Sequence, residues 1–280
     1  MSRASLAGMF DSQRSSVNPR PFRWLTIAQN LTSLLAPPIC ALCGGGGQRA
    51  DEIWGIDLCV HCEAACSRPL QACTRCAEPL GAAADRGMGP CISADIPALL
   101  CERCRATPPD FDATFALFRY EDPVDEMITA LKFRGELGFA RVLGTLLARH
   151  MRDRGPALPE ALIPMPLHPS RLRERGFNQT EAIAAHAARR LRMKLDTKLL
   201  QRRRATQPQS GLSALDRAAN LREAFAVADG RHSPACVALL DDVMTTGHTA
   251  AAAAMTLKEA GAQHVEIWAC ARAWLDAATG

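Results

Sequence analysis

The residues best equipped for chemistry lie in one run near the carboxyl end, Val237–Thr249, which reads VALLDDVMTTGHT. The apolar stretch Cys236–Leu240 has the length and composition of a strand covered on both faces, and two carboxylates, Asp241 and Asp242, follow it at once. Val243 and Met244 lead on to Thr245, Thr246, Gly247, His248 and Thr249, where a helix is expected to begin. Gly247 permits a tight backbone, and the successive N–H groups of a helix start form an anion nest to which threonine hydroxyls add donors. An acid pair beside such a nest serves little purpose for phosphate alone. It suits a phosphorylated ribose, whose vicinal hydroxyls donate hydrogen bonds to the carboxylates.

A second run offers the opposite charge. Pro164, Met165, Pro166, Leu167 and His168 follow the short apolar segment Ala161–Met165, and Arg171, Arg173 and Arg175 come soon after, ending in Gly176-Phe177-Asn178-Gln179. A strand that ends in a proline-stiffened loop and then arginines gives a fixed cationic edge, and Arg holds phosphate oxygens bidentately. Taken alone the run is equally compatible with an ordinary Pro-rich turn. Between Arg171 and Arg222 there are 13 Lys or Arg against four acids, although the net charge of the chain is only +4. Such a patch suits phosphates or nucleic acid; a solvated Arg-rich helix face is the plainer alternative. The seven histidines are dispersed, and no Ser/His/Asp or Cys/His arrangement stands out.

Ten of the twelve cysteines lie between Cys40 and Cys104, leaving Cys236 and Cys270 elsewhere. Four C-x-x-C pairs stand in that block: Cys40/Cys43, Cys59/Cys62, Cys73/Cys76 and Cys101/Cys104. A C-x-x-C turn points two thiolates at one cation, and two such turns complete a tetrahedral Zn²⁺ site. The 15 residues between Cys43 and Cys59 match zinc-ribbon spacing, and the 24 between Cys76 and Cys101 include a GAAADRGMGP stretch that can loop out. Pairing of neighbours is the simplest arrangement, giving one or two structural zinc ions; interleaved pairing stays open. Cys66 and Cys91 are spare, with Cys91 an alternative ligand in the second knuckle, and His61 is read as a module side chain rather than a ligand. Residues 36–110 hold few periodic apolar positions, so metal stands in for a core.

The elements that must position these groups follow from periodicity. Strands are expected at Phe111–Tyr120, Ala161–Met165, Cys236–Leu240 and His264–Ala271, and helices at Val124–Phe133, Gly138–Arg152, Phe177–Lys194 and Gly247–Ala260. Strands alternating with helices argue an α/β fold with a mostly parallel sheet and helices on both faces. The expected organisation is a disordered leader with a short helix at 1–35, in which Met9 is an alternative start, a double zinc-ribbon module at 36–110, and the α/β domain at 111–280. At 48% apolar and 22% charged the composition is that of a soluble globular protein. There is no uninterrupted apolar run of membrane-spanning length and no secretory signal, so a cytoplasmic location is expected.

VALLDDVMTTGHT resembles the signature of type I phosphoribosyltransferases for phosphoribosyl pyrophosphate (PRPP). With P-x-P-L-H…R-x-R-G-F-N-Q between the cysteine block and this run, the chain closely resembles the competence protein F (ComF) family from about Leu31 to Arg272. That resemblance implies a type I phosphoribosyltransferase-like sheet behind a cysteine-rich module. It implies that Pro164–Ser170 is the pyrophosphate loop and Asp241–Thr249 the PRPP loop, with Asp241 and Asp242 in any catalytic role. It further implies that Gln201–Arg222, including Gln207 and Arg217, is a mobile hood closing over the ligand, and that Lys132 in LKFRGE matches a family lysine. His248 departs from the small residue usual in relatives; its side chain can point outward while its amide binds phosphate.

Phosphoribosyl transfer breaks a C1–O bond to pyrophosphate through an oxocarbenium-like centre, so positioning and charge neutralisation by Mg²⁺ and cations dominate. Mg²⁺ would be held mostly by diphosphate and water, with Asp241 or Asp242 helping. Amidotransfer from glutamine is disfavoured, because no catalytic Cys follows the initiator Met. Two readings stay open. One is a Mg²⁺-dependent phosphoribosyltransferase of unknown acceptor. The other is a non-catalytic PRPP- or nucleotide-binding factor acting on single-stranded DNA with other competence proteins. Aromatic residues are only 5% of the chain, and Phe177 alone interrupts the basic patch, so strand contacts are expected to be electrostatic. The sequence does not fix the oligomeric state; a homodimer is one option.

Overall fold

The computed structural model describes residues 37–50, 54–69, 71–80, 99–154, 157–204 and 224–274. The expected leader, Cys91, and Gln207 and Arg217 of the expected hood lie outside them. In chain order the elements are β1 (Gln48–Ala50), β2 (Trp54–Ile56), α1 (Val60–Ala65), α2 (Glu102–Ala106), β3 (Ala113–Arg119), α3 (Val124–Thr129) and a π-turn over Ala130–Arg134. Then come α4 (Gly138–Asp153), β4 (Ala161–Pro164), α5 (Pro169–Arg175), α6 (Gln179–Leu191), β5 (Lys194–Leu195), β6 (Leu200–Arg202), β7 (Phe225–Val227), β8 (Cys236–Met244), α7 (His248–Glu259) and β9 (His264–Arg272). Among the described residues, the main sheet has the order β3-β9-β8-β4-β5 and every pair in it is parallel.

Alternation along β8 explains why both faces are covered. Ala238 and Leu240 pack with Leu143, Leu147 and Ile183 of α4 and α6 on one face, whereas Val237 and Leu239 join Ala253 and Leu257 of α7 on the other. The cysteine segments divide between the same two cores. Cys40, Ile56, Leu58 and Cys66 belong to the α4/α6 side, and Cys73, Cys76, Cys104 and Phe111 to the α7 side. On the first side Arg149 of α4 bonds Glu63 and Arg141 bonds Asp57. The metal-type segments therefore clamp the sheet from both faces.

Several elements differ from the periodicity reading, each for a local reason. The central strand does not stop at Leu240; it pairs with β9 through Met244, so both acids sit on strand backbone. The helix expected at Val124–Phe133 is α3, which widens into a π-turn before Gly135, whose left-handed φ of 68° ends it. α6 starts at Gln179 rather than Phe177 because the Asn178 side chain accepts from the Thr180 N–H and caps it. The arginines after the proline loop are helical in α5, and β5, β6 and β7 are too short to show a period.

Candidate functional site

The chain leaves β4 toward β5 on one side and leaves β8 toward β9 on the other. Ligands of open α/β sheets bind beyond the carboxyl ends of strands at such a switch point. Both runs singled out by their chemistry meet here. Pro164 is in register with Leu240, and the Met165 N–H donates to the Leu240 carbonyl at 2.8 Å, so the proline loop leaves the sheet directly beside Asp241.

Asp242 is the hub. It is buried, its Oδ1 lies 3.0 Å from Lys132 Nζ, and its Oδ2 accepts from Gln179 Nε2 at 2.7 Å. Arg175 in turn donates to the Gln179 side-chain carbonyl and lies 5.5 Å over the ring of Phe133. Asn178 and Thr180 hold the proline loop from behind: Asn178 Nδ2 and Thr180 Oγ1 donate to the Met165 carbonyl at 3.1 and 2.8 Å. His168 caps α5, its Nδ1 accepting from the Ser170 N–H at 3.2 Å. Asp241, ringed by protein though one edge reaches solvent, is pushed up to about 7 by burial and by the neighbouring Asp242 charge, against the opposing pull of Lys132.

Beyond the acids the loop turns outward. Thr245, Thr246 and His248 are exposed, Gly247 is buried with φ 82°, and Thr249 is half-buried. The Thr245 carbonyl accepts from Arg272, and since a trans peptide points its two polar groups in opposite directions, the Thr246 N–H faces away from that guanidinium. The first N–H groups of α7 have no intrahelical acceptor and complete a nest at the same edge.

Among the described residues two cysteine groups could hold a metal: Cys40, Cys43, Cys59 and Cys62, and Cys73, Cys76, Cys101 and Cys104. Neighbouring pairs combine, so the interleaved alternative falls away. Cys43 Sγ lies 3.8 Å from Cys59 Sγ and Cys76 Sγ 3.6 Å from Cys101 Sγ, close to the edge of about 3.8 Å that a Zn–S bond of ~2.3 Å implies for a tetrahedron. Burial works to raise the Cys40 thiol, but N–H groups of Cys43, Cys59 and Leu42 outweigh it and bring it down to about 6. Cys73, hydrogen-bonded first by Cys76, falls to about 4. Such thiols are ready to lose a proton to a cation. Cys66 stands outside the cage, donates to the Cys62 carbonyl and is pushed up to about 11 by burial.

No family model matches the chain. Competence protein F of Haemophilus influenzae is 34% identical over 179 residues, 62% of this chain and 78% of its own length. The DNA utilization protein YhgH of Salmonella typhi is 31% identical over 246 residues, 85% of this chain and 99% of its own length. The chain belongs to the ComF family. Among solved structures, the glutamine PRPP amidotransferase of B. subtilis complexed with ADP and GMP is 18% identical over 47% of this chain and 26% of its own, with a TM-score of 0.33. Adenine phosphoribosyltransferase of Leishmania tarentolae is 15% identical over 57% of this chain and 77% of its own, at 0.34. At overlaps this shallow, the architecture of this ComF-family chain stands on its own strand order.

Within that family frame, the structure brings together Lys132, Pro164–His168 and the Asp241–Thr249 segment. Arg171 lies apart on the exposed side of α5, paired with Glu174 at 3.3 Å. It lines a cleft of about 360 Å³ with Lys132, Phe133, Arg134, Arg175 and Phe177. The charge reading of the basic patch missed this: Phe133, 74% exposed, comes from a distant segment to stand near Phe177. Sequence reasoning also missed Gln179, Thr180 and Arg272 as site residues. The Asn178 cap could have flagged the turn holding the first two; nothing in the sequence could have flagged Arg272.

Proposed function

We propose that this ComF-family chain binds PRPP with Mg²⁺ at the edge between β4 and β8, as a phosphoribosyltransferase-like protein. The observation that supports it most is the fastening of Asp242 to Lys132 and Gln179, which fixes an acid pair between a proline loop and a helix-start nest. In this reading Asp241 and Asp242 accept from the ribose hydroxyls, and Thr245–Thr249 take the 5-phosphate. Pro164–His168, with Lys132 and Arg175, face the diphosphate, Arg171 belongs to the outer basic edge, and Gln207 and Arg217 belong to a covering hood. The donor set fits Mg²⁺, which prefers one or two carboxylates plus diphosphate oxygens; when bound it neutralises pyrophosphate as that group leaves. Two structural zinc ions, a module at 36–110 before a domain at 111–280, and a cytoplasmic setting that keeps thiols reduced complete the proposal. Among the described residues no helix is long and apolar enough to cross a membrane.

Transfer, where it occurs, breaks the C1–O bond and forms a bond from C1 to an acceptor, with pyrophosphate departing. The chain supplies position and charge rather than a nucleophile. Titration calorimetry with PRPP and Mg²⁺ tests the site. The double variant Asp241→Asn/Asp242→Asn should lose binding while keeping its zinc; unchanged affinity would sink the assignment.

A second reading, in which the chain acts on single-stranded DNA with other competence proteins, draws support from the Arg- and Phe-lined cleft and from the relatives' names. If a metabolite screen yields no PRPP-dependent product while strand binding persists, the transfer reading falls and this one stands. Sedimentation reads whether the site is carried by a monomer or a homodimer.

A further inference from the structure

Arg272 ends β9 as a buried cation, 1% exposed, and its partners come from three parts of the chain. Its Nε donates to the carbonyl of Cys76, a member of the second thiolate cage, at 3.1 Å. One terminal nitrogen donates to the carbonyls of Met244, at 3.2 Å, and of Thr245 and Ala273; the other meets the Glu78 carboxylate. Packing repeats the connection, because Cys73, Cys76, Cys104, Phe111 and Met244 share one apolar cluster. A Cβ on Gly247 would sit 2.8 Å from the Met244 methyl and 3.7 Å from the Phe111 ring. The first cage packs on the opposite face of the sheet.

We infer that Arg272 is a positioning residue that aims the Thr245–Thr249 nest, and that its hold depends on the second cage. A guanidinium is suited to this task because its fixed fork serves several acceptors at once, which an ammonium cannot do with the same geometry. A metal ion in the second cage fixes the Cys73–Ala77 turn, so it fixes the Cys76 carbonyl and Glu78 against which Arg272 is braced. Loss of that ion frees the brace and lets the loop carbonyls turn, which misdirects the Thr246 amide. The two cages thus have unequal roles: among the described residues, the hydrogen-bonded link to the Thr245–Thr249 loop runs from the second.

This inference rests on the PRPP reading for its ligand but not for its geometry, so two measurements on the full chain separate them. Hydrogen exchange of the Thr245–Thr249 amides without ligand reads positioning; calorimetry with PRPP and Mg²⁺ reads affinity. Arg272→Lys and Glu78→Gln should retain both zinc ions, speed loop exchange, and weaken PRPP binding by more than tenfold and about threefold respectively. Cys104→Ser, which removes the second ion, should reproduce the Arg272→Lys result, while Cys43→Ser, which removes the first, should leave loop exchange and affinity within twofold of wild type. If Arg272→Lys does not fold, Glu78→Gln and the paired cysteine variants decide. Equal loop exchange in wild type, Glu78→Gln and Cys104→Ser would overturn the inference. If wild type binds no PRPP yet the loop responds as described, the ligand reading fails and the inference stands.

Discussion

Asp241 and Asp242 are neighbours on β8 with different surroundings. Asp242 is paired with a cation and an amide in a buried place where an unpaired carboxylate would be costly. Asp241 lacks so close a cation, and burial beside the Asp242 charge lifts it from its ordinary value to about 7. The folded state holds the Asp241 proton more tightly than the unfolded chain, so this group's contribution to stability declines as pH rises from about 4 to about 7. Asp241→Asn should therefore flatten that part of the stability–pH curve and become more stable relative to wild type above pH 7, as read by urea midpoints across pH. The same asymmetry bears on ligand binding: an ionised carboxylate is the stronger acceptor for a sugar hydroxyl, so affinity for PRPP should rise between pH 6 and 8 in wild type. A curve of the same slope in Asp241→Asn would assign the pH dependence to the ligand's own phosphates.

At the scale of elements, the turn between α5 and α6 sets the distance between the two halves of the site. Asn178 caps α6 with its carbonyl oxygen and holds Met165 with its amide nitrogen, and Thr180 doubles the second bond. One residue thus ends a loop, starts a helix and fixes the loop that leaves β4. Asn178→Ala should cost about 1–2 kcal/mol, a lost cap together with a buried carbonyl left with one partner fewer. Chemical denaturation measures this, and Asn178→Asp, which keeps the cap and loses the donor to Met165, separates the two contributions. The need for a cap after Phe177 was readable from Asn178 and the Ala-rich run behind it. That the same side chain reaches back to Met165, 13 residues earlier, was not, because it depends on how α6 packs under β4.

For the whole molecule, the thiolate cages replace part of a core. Their cysteines are built into the same apolar clusters as the helices, so metal loss should be felt through the sheet. Charge is likewise collective. The cleft beside Lys132 gathers Arg134, Arg171 and Arg175 round Phe133 and Phe177, the side-chain types on which the proposed strand reading would rely for stacking and phosphate contact. Binding of a labelled single-stranded oligonucleotide should weaken by about 1–3 kcal/mol in Phe133→Ala with its salt slope unchanged, whereas Arg171→Ala should lower that slope by about 0.7. Identical binding by Phe133→Ala would remove this cleft from any strand path.

What the sequence determined by itself is what short spacing can carry. Paired C-x-x-C turns specify four-thiolate metal chemistry, a strand-length apolar run followed by Asp-Asp and Thr-Thr-Gly specifies an acid pair beside an anion nest, and alternating periods specify a parallel sheet. Each of these is local, set by a few bonds of chain. The tertiary structure alone decided which cysteine pairs come together in one tetrad, that the acids lie on strand rather than loop, and that Gln179 and Lys132 meet on Asp242. It alone decided that Phe133 joins Phe177 and that Arg272 ties a cysteine tetrad to the Thr-Thr-Gly loop. These juxtapositions join residues tens to hundreds of positions apart, and they exist only because sheet order brings those strands and helices to one edge. No period or spacing in a linear chain encodes that meeting.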